Sequence, residues 1–444
     1  MCFMGTTLGA RTVTIDPCHT CLPLGAVYMI LGIQGGVSLM HGSQGCCSFV
    51  RYLLTRHFRE PVRVASTSFH KDAAVFGGRR NLIEGIRNLV NRYRPRFIGV
   101  ISSCISETIG DDIDAFVREA KDELGDEEVK IVPIHTPSYA GSHIKGYDTA
   151  SQTVLKHLGQ PRKNLNGKLN IISGIINPGD VEEIKRILRV MGVSFTMISD
   201  VAETLDTPLE RSAVSTSVGG TTVEELSDAT NAIGTIALTP HAGGAGAAYL
   251  HSRFNIPAIY GPLPVGVGNT DRFLAGVKRL AGVEVPLSLE RERGILLDAM
   301  ADSTPYTMMK RVAITGDPDI VAAISRFICE LEMEPTVVMS NTPSKKFAHE
   351  VEATGKEYGY TPTVISGGDL YQFEMAVRER GADVILGPTY GAEVAKNIGI
   401  PLVRIGFPVY DRFGYHRWPV LGYRGSLRLL DLIVNSILDC QSKH

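Results

Sequence analysis

The sequence predicts an α/β protein with three doubly wound domains and mostly parallel sheets. Short apolar runs rich in β-branched residues alternate with longer helical patterns along almost the whole chain, which is typical of βαβ units. The length of 444 residues exceeds that of one ordinary domain, so two or three domains are expected. Hydrophobic residues make up 44% of the chain and charged residues 21%, which is enough to build several buried cores.

The first predicted domain covers residues 1–165. In its four βα units a strand is followed by a polar or glycine-rich turn and, in most units, by a helix. The predicted strands are Gly36–Met40, Val62–Ala65, Phe97–Ile101 and Val129–Ile134, and the helices include Cys46–His57, Asn81–Tyr93 and Asp111–Leu124. The next segment, Gln160–Lys168, is polar and has no apolar period, so it is predicted to be a linker.

The second and third predicted domains cover residues 166–309 and 310–444. The predicted strands are Leu169–Gly174, Ser194–Ile198, Ile256–Tyr260, Arg311–Ile314, Thr336–Met339, Thr363–Ile365, Val384–Leu386 and Leu402–Ile405. The amphipathic helix Leu427–Leu438 is expected to pack back across the domains. Open α/β sheets bind ligands beyond the carboxyl ends of their strands, so residues that directly follow strands are the first candidates for a site.

Charge and hydropathy exclude several classes of protein. A net charge of −2 gives no electrostatic reason to expect a nucleic acid or an anionic membrane as partner. No run reaches the ~18 apolar residues of a spanning helix, and Met1–Arg11 lacks the features of a secretion signal. No GxxxxGK followed by Ser or Thr occurs, so this chain is not expected to bind ATP. The predicted location is cytoplasmic.

Cysteines cluster in the first quarter of the chain. Disulfides are not expected in a reducing compartment, so the clustering points to other chemistry. Cys329, in an apolar helical run, and Cys440, near the C-terminus, are predicted to be structural or inert thiols. The other six of the eight cysteines are Cys2, Cys18, Cys21, Cys46, Cys47 and Cys104.

Three of these cysteines and one serine lie at turns or helix starts. Cys21 begins a helical run, and the predicted strands of the first domain are followed by Cys46, Cys104 and Ser138. Thiolates that converge at one sheet edge are the ligands that an iron–sulfur cluster requires. The spacing alone does not distinguish such a site from unligated cysteines in strand-end turns. Zinc at the Cys18/Cys21 pair is a weaker option, because a structural zinc site needs a second close pair.

Segments along the whole chain carry a family resemblance. Those of the first domain are CLPLGAVYMILG, LMHGSQGCCSFVRYLLTRHFREP, HKDAAVFGG, SSCISETIGDDIDAF and HTPSYAGSHIKGYD. INPGDVEEIKRIL, GGTTVEEL, VPLSLERERGILLDAMAD, KRVAITGDPD and IPLVRIGFPVYDR follow in order. Together they closely resemble the beta subunit of nitrogenase component 1, a family with three α/β domains in the beta chain.

The resemblance implies a P-cluster, an 8Fe-7S cluster shared with an alpha-type subunit. Its thiolate ligands in this chain would be Cys21, Cys46 and Cys104, with Ser138 as an oxygen ligand that depends on the redox state. These residues would form half a site, and Cys18 and Cys47 are interpreted as neighbours. The complete ligand set favours an electron-relaying enzyme subunit over a scaffold that assembles clusters.

The resemblance also implies partners. An α2β2 heterotetramer is expected, with an ATP-hydrolysing iron protein as electron donor and the active-site metallocluster on the alpha-type chain. Phe76 would lie on the docking surface of the iron protein; the alternative is an ordinary core aromatic. Asp298 and Asp302, four residues apart on a helical pattern, would bind a cation together with Glu60 of a second beta-type chain; the alternative is a solvated helix face.

Several polar residues are predicted to be structural. His41, His135 and His143 lie near the candidate ligands and are expected to satisfy backbone carbonyls, although tuning of the cluster is the alternative. Asp317 and Asp319 flank Pro318 and are expected to cap the start of a helix.

The two ends of the chain resemble those of one branch of the family. Twenty residues precede Cys21, whereas molybdenum-type beta chains usually have a longer arm, and the C-terminal tail usual in vanadium- and iron-type chains is missing. These ends resemble those of the nitrogenase-like reductases, so methylthio-alkane reductase, which cleaves carbon–sulfur bonds, is the predicted branch. An iron- or vanadium-type dinitrogen-reducing nitrogenase and a cluster-assembly scaffold are the alternatives.

Overall fold

The computed structural model describes residues 14–125, 128–209 and 219–441; Cys2 lies outside these ranges. The described chain contains three sheets of four, four and five strands, one after another along the sequence. All strand pairs within them are parallel. The α/β fold class predicted from the sequence is therefore confirmed.

The first sheet positions the candidate ligands. Its strands are β1 (Gly36–His41), β2 (Val64–Ser66), β3 (Phe97–Ser102) and β4 (Lys130–Ile134), in the order β2-β1-β3-β4. The helices are α1 (Leu22–Leu31), α2 (Gln44–Phe58), α3 (Lys71–Phe76), α4 (Arg79–Tyr93), α5 (Cys104–Ile109), α6 (Ile113–Leu124) and α7 (His143–Leu158). Strand β3 is buried along its whole length, as expected for a central strand of a parallel sheet that helices cover on both faces.

The second sheet has the order β6-β5-β7-β8. Its strands are β5 (Leu169–Ile172), β6 (Phe195–Met197), β7 (Gly234–Ala237) and β8 (Ala258–Tyr260), and its helices are α8 (Pro178–Val190), α9 (Val223–Asp228), α10 (Gly244–Phe254), α11 (Gly266–Ala281) and α12 (Leu287–Thr307). Strand β7 is an element that the sequence patterns did not single out.

The third sheet has the order β11-β10-β9-β12-β13. Its strands are β9 (Arg311–Gly316), β10 (Glu334–Ser340), β11 (Thr363–Ser366), β12 (Val384–Gly387) and β13 (Leu402–Arg404), and its helices are α13 (Pro318–Glu330), α14 (Lys345–Tyr358), α15 (Leu370–Arg380), α16 (Gly391–Ile398) and α17 (Gly422–Gln441).

One hydrophobic core extends across the three sheets. Met40 of β1, Ile171 of β5 and Val312 of β9 belong to a single cluster of buried side chains. Helix α17 contacts α8, α11 and α12 as well as strands β12 and β13. The domain boundaries near residues 165 and 309 stay predictions, because the shared core does not mark them. None of the described helices is long and apolar enough to span a membrane.

Candidate metal-cluster site

Three of the four predicted ligands emerge at one edge of the first sheet. Strands β1, β3 and β4 are parallel neighbours, with His41 of β1 in register with Ser102 of β3. Their carboxyl ends therefore open on the same side. Cys46 lies in the first turn of α2 after β1, Cys104 begins α5 after β3, and Ser138 begins a short 3-10 turn after β4.

The segments that lead into the helices of Cys46 and Cys104 are joined by a hydrogen bond. The Ser103 hydroxyl donates a hydrogen bond of 2.7 Å to the carbonyl oxygen of His41. A Cβ atom at Gly42 would lie 2.1 Å from the Ser103 hydroxyl oxygen, so only glycine permits this close approach. Gly42 thus has a steric role in placing the starts of α2 and α5 side by side.

The fourth residue, Cys21, comes from a different direction. It is the N-cap of α1, and its backbone pairs with Ser142 in an isolated antiparallel bridge. Burial raises the pKa of the Cys21 thiol and the nearby Cys46 raises it further, whereas hydrogen bonds from the Leu24 backbone and the Ser138 side chain lower it. The fold therefore brings Cys21, Cys46 and Ser138 together. With a raised pKa the Cys21 thiol is protonated at neutral pH, and iron binding there would release that proton.

The donor set fits an iron–sulfur cluster. Cys46 and Cys104 are exposed and Cys21 is partly buried, so thiols are accessible at a surface. In the described ranges no three His, Cys, Asp or Glu side chains form a group that could hold a single metal ion. Two thiols and one hydroxyl at a sheet edge, joined by the thiol of Cys21 from α1, suit part of a larger iron–sulfur cluster better than a closed one-metal site.

The two additional cysteines point into the protein. The Cys47 thiol donates to the carbonyl oxygen of Val64 at 3.6 Å, and burial raises its pKa. Cys18 is 2% exposed. Burial, followed by the charges of Asp317 and Asp16, raises the pKa of its thiol. These placements favour the interpretation of both cysteines as neighbours, and they disfavour zinc at the Cys18/Cys21 pair.

The nearby histidines contact carboxylates, so their predicted pairing with backbone carbonyls is wrong. His41 lies 3.1 Å from Asp111, His135 lies 2.9 Å from Glu107 and 2.7 Å from Asp114, and His143 lies 3.1 Å from Asp317. Most of these acidic partners come from distant segments of the chain, which the local pattern around each histidine does not reveal.

The predicted capping role of the two aspartates is also wrong. Asp317 is the N-cap residue of α13, but its side chain makes no capping hydrogen bond; it faces His143 of α7 instead. The Asp319 carboxylate accepts a hydrogen bond of 3.1 Å from the backbone N–H of His241. Both carboxylates therefore connect α13 to other parts of the molecule.

Phe76 is a surface residue. It ends α3 with its side chain 87% exposed, next to Val75 at 74%. The following turn is held by Asp111, which accepts a hydrogen bond of 3.0 Å from the backbone N–H of Gly78. The alternative of an ordinary core aromatic is therefore wrong. Nothing in the sequence singled out Val75 as part of the same exposed apolar patch.

The three carboxylates of the predicted cation site come from two parts of the chain. Asp298 and Asp302 are exposed on α12. Glu60 follows α2 and accepts a hydrogen bond of 3.3 Å from the backbone N–H of Thr207. In the described part of this chain Glu60 thus contacts Thr207, and a cation site with the aspartates stays a prediction.

The three parallel sheets and the accessible thiols of Cys21, Cys46 and Cys104 are typical of an α/β protein that presents sulfur donors at its surface. The chain belongs to the family of nitrogenase component 1 type oxidoreductases, whose model matches residues 21–438.

Relatives with solved structures or curated names agree with this family. The molybdenum-iron protein beta chain of Methanococcus maripaludis is 44% identical, over 97% of this chain and 95% of that one. The vanadium-iron protein beta chain of Trichormus variabilis is 42% identical, over 98% and 96%. The structure of nitrogenase Cp1 at pH 6.5 superposes with a TM-score of 0.96 at 37% identity, over 98% and 96%. The chain is a nitrogenase-type beta subunit within an oxidoreductase family.

Proposed function

We propose that this chain holds half of an 8Fe-7S P-cluster in a nitrogenase-like reductase and completes that cluster with an alpha-type partner. Cys21, Cys46 and Cys104 would be its thiolate ligands, and Ser138 its oxygen ligand. The observation that carries the proposal is the meeting of Cys21 with Cys46 and Ser138 at a sheet edge where Cys46 and Cys104 are exposed.

The protein's own residues would hold the cluster and set its surroundings. When bound, such a cluster stores and passes on single electrons. Cys21 and Cys46 lie at the starts of α1 and α2, where the helix dipole stabilises negative charge on sulfur. The Ser138 hydroxyl would keep its proton as a hydrogen-bond donor and lose it as an iron ligand.

Electrons would enter near Phe76 and leave toward the partner chain. An ATP-hydrolysing iron protein would dock on the exposed patch of Val75 and Phe76. Substrate would be reduced at a metallocluster on the alpha-type chain, in an α2β2 assembly. The names of the relatives, which are beta chains of molybdenum-iron and vanadium-iron nitrogenase proteins, support this arrangement.

Two reactions are candidates for the assembled enzyme. Reductive cleavage of methylthio-alkanes is the reaction predicted from the sequence. The chain covers 95% of the Methanococcus maripaludis beta chain, so its length does not distinguish a methylthio-alkane reductase from a nitrogenase. Reduction of dinitrogen is favoured by the identity to nitrogenase beta chains. An anaerobic assay of the complete enzyme with its iron protein, supplied with dinitrogen or with a methylthio-alkane, separates these reactions.

The ligand assignment is tested by Cys104→Ala in the assembled protein. Loss of one thiolate is expected to lower the iron content and to abolish most substrate reduction. Cys440→Ala, which changes a partly buried thiol of α17, is the control and should leave both unchanged. Unchanged iron content and activity in Cys104→Ala would show that the assignment is wrong. Full cluster content without turnover in the unmodified protein would favour the scaffold alternative.

We also propose that Asp298 and Asp302 of one copy bind a cation together with Glu60 of another. The exposure of both aspartates, one turn apart on α12, supports this proposal, since paired carboxylates are suitable ligands for a hard cation. The double variant Asp298→Asn/Asp302→Asn should lose a bound divalent cation when metals are measured in the purified assembly. Equal cation content in the variant would contradict the proposal.

A further inference from the structure

Helices α1 and α7 touch backbone to backbone at their first turns. A Cβ atom at Gly25 of α1 would lie 1.8 Å from the carbonyl oxygen of His143, and one at Gly146 of α7 would lie 1.9 Å from that of Leu22. Real side chains never approach so closely, so each helix needs glycine where it meets the other. The contact is reciprocal: the glycine of each helix faces the first residue of the other.

The contact between α1 and α7 fixes the positions of the residues that precede the two helices. Cys21 is the N-cap of α1 and Ser142 is the N-cap of α7, and their backbones form a β-bridge. The backbone N–H of His143 donates a hydrogen bond of 2.9 Å to the carbonyl oxygen of Thr20. The separation of the helices therefore sets the separation of Cys21 from the segment that leads into α7.

The turn that carries Ser138 is fastened to the same part of α7. Lys145, the neighbour of Gly146, donates a hydrogen bond of 3.1 Å from Nζ to the carbonyl oxygen of Ala140. Ala140 ends the 3-10 turn that Ser138 begins. The first turn of α7 thus contacts α1 on one side, through Gly146, and fastens the Ser138 turn on the other, through Lys145.

We propose that the first turn of α7 is the positioning element that sets the Ser138 hydroxyl against Cys21, through Gly146 seated on α1 and Lys145 bonded to Ala140. The inference rests on the proposed function, because it assigns to these residues the placement of one proposed ligand beside another. Gly146 and Lys145 are positioning residues and touch no substrate.

Gly146→Ala is the most direct variant. Its Cβ must push α7 away from the backbone of α1, which moves the Ser138 turn relative to Cys21. Gly85→Ala is the matched control, since Gly85 also lies inside a helix of the same part of the chain, and its Cβ would meet Leu39 at an ordinary 3.5 Å. Lys145→Met removes the bond to Ala140 and places no new atoms between the helices.

The test uses the assembled protein, purified without oxygen, with iron content and the EPR spectrum of the oxidised cluster as readouts. Ser138→Ala supplies the reference spectrum for a cluster without the serine ligand. Gly146→Ala and Lys145→Met are expected to shift the oxidised spectrum toward that reference while iron content stays within twofold of the unmodified protein. Gly85→Ala is expected to keep the original spectrum.

Each result decides the matter. If both α7 variants keep the EPR spectrum of the unmodified protein while Ser138→Ala alters it, the positioning role is overturned and the proposed function still stands. If Ser138→Ala keeps the EPR spectrum of the unmodified protein, that serine is not a ligand of the oxidised cluster, and the inference is overturned as well. If Gly146→Ala does not assemble, Lys145→Met alone decides, and an unmodified spectrum in that variant overturns the inference.

Discussion

His57 of α2 is held as a neutral imidazole between two parts of the chain. Its Nδ1 accepts a hydrogen bond of 2.8 Å from the backbone N–H of Val409, so Nε2 carries the proton and donates to Asn177 at 2.8 Å. Burial is the main reason that the pKa of His57 is lowered to about 3. The ring therefore contributes to stability only in its uncharged form.

Acid should weaken the fold through this residue. The unfolded chain takes up a proton at an ordinary histidine pKa of about 6.5, while the folded chain resists protonation down to about 3. The contribution of His57 to the free energy of unfolding is therefore fully present above the pKa that this residue has in the unfolded chain. It declines by about 1.4 kcal/mol per pH unit as the pH falls toward 3. His57→Gln should show a smaller loss of apparent melting temperature between pH 7.5 and pH 5.5 than the unmodified protein.

A suitable control for the pH experiment is His157→Gln, which changes an exposed histidine of α7. This variant should keep the pH dependence of the unmodified protein. Equal losses of melting temperature in His57→Gln and in the unmodified protein would contradict the predicted protonation.

Phe76 supplies a second prediction for a single residue. Because its side chain is 87% exposed, Phe76→Ala should hardly change stability or iron content. An exposed aromatic at the centre of a docking surface typically contributes about 2 kcal/mol or more, so the apparent affinity for the iron protein should fall roughly thirtyfold. Titration of activity with iron protein measures this. Phe413→Ala, which changes a phenylalanine that is 91% exposed, is the control, and equal affinities in the two variants would count against docking at Phe76.

Helix α17 shows how an element can be predicted while its ends are not. The amphipathic pattern predicted Leu427–Leu438, whereas the helix runs from Gly422 to Gln441. Its start depends on a tertiary contact, in which the backbone N–H of Gly422 donates to the carbonyl oxygen of Pro264 at 2.7 Å. The periodicity of the sequence does not reveal this contact with Pro264.

Burial along α17 leads to a prediction for the element. Ile433 is fully buried in the shared core, whereas its neighbour Leu432 is 38% exposed. Ile433→Ala should cost about 2–5 kcal/mol, because it leaves a cavity, and Leu432→Ala should stay within about 0.5 kcal/mol. Urea-unfolding midpoints of the two variants measure the difference. Similar midpoints would mean that α17 does not dock as described.

In the proposed function the whole molecule is one part of a larger assembly. Cys46 and Cys104 are exposed on a chain whose three sheets share one core. We therefore expect the chain alone to fold but to bind little iron, because the partner chain would supply half of the ligands of the proposed cluster. Produced without its alpha-type partner, it should show a cooperative thermal transition and far less iron than the co-produced complex. A full iron complement in the isolated chain would contradict the half-site proposal.

Prediction from the sequence succeeded for the features that repeat along the chain. The alternation of apolar runs with helical patterns was sufficient for the α/β class and for most strands. It did not single out β7, because the four residues GTIA begin and end with a small residue and leave only two β-branched side chains between them. For the site, strand-end placement indicated which residues could meet, and the choice among six cysteines came from family resemblance.

The sequence by itself determined the fold class, the location of most strands and the presence of thiols after some of them, because these depend on local periodicity and turn chemistry. Only the tertiary structure decided that Cys21 meets Ser138, that Cys47 and Cys18 are buried, and that Phe76 is exposed. It also paired His41 with Asp111 and His143 with Asp317. Such pairs join residues far apart in the chain, and their meeting depends on how helices pack, down to the two glycines that let α1 and α7 touch.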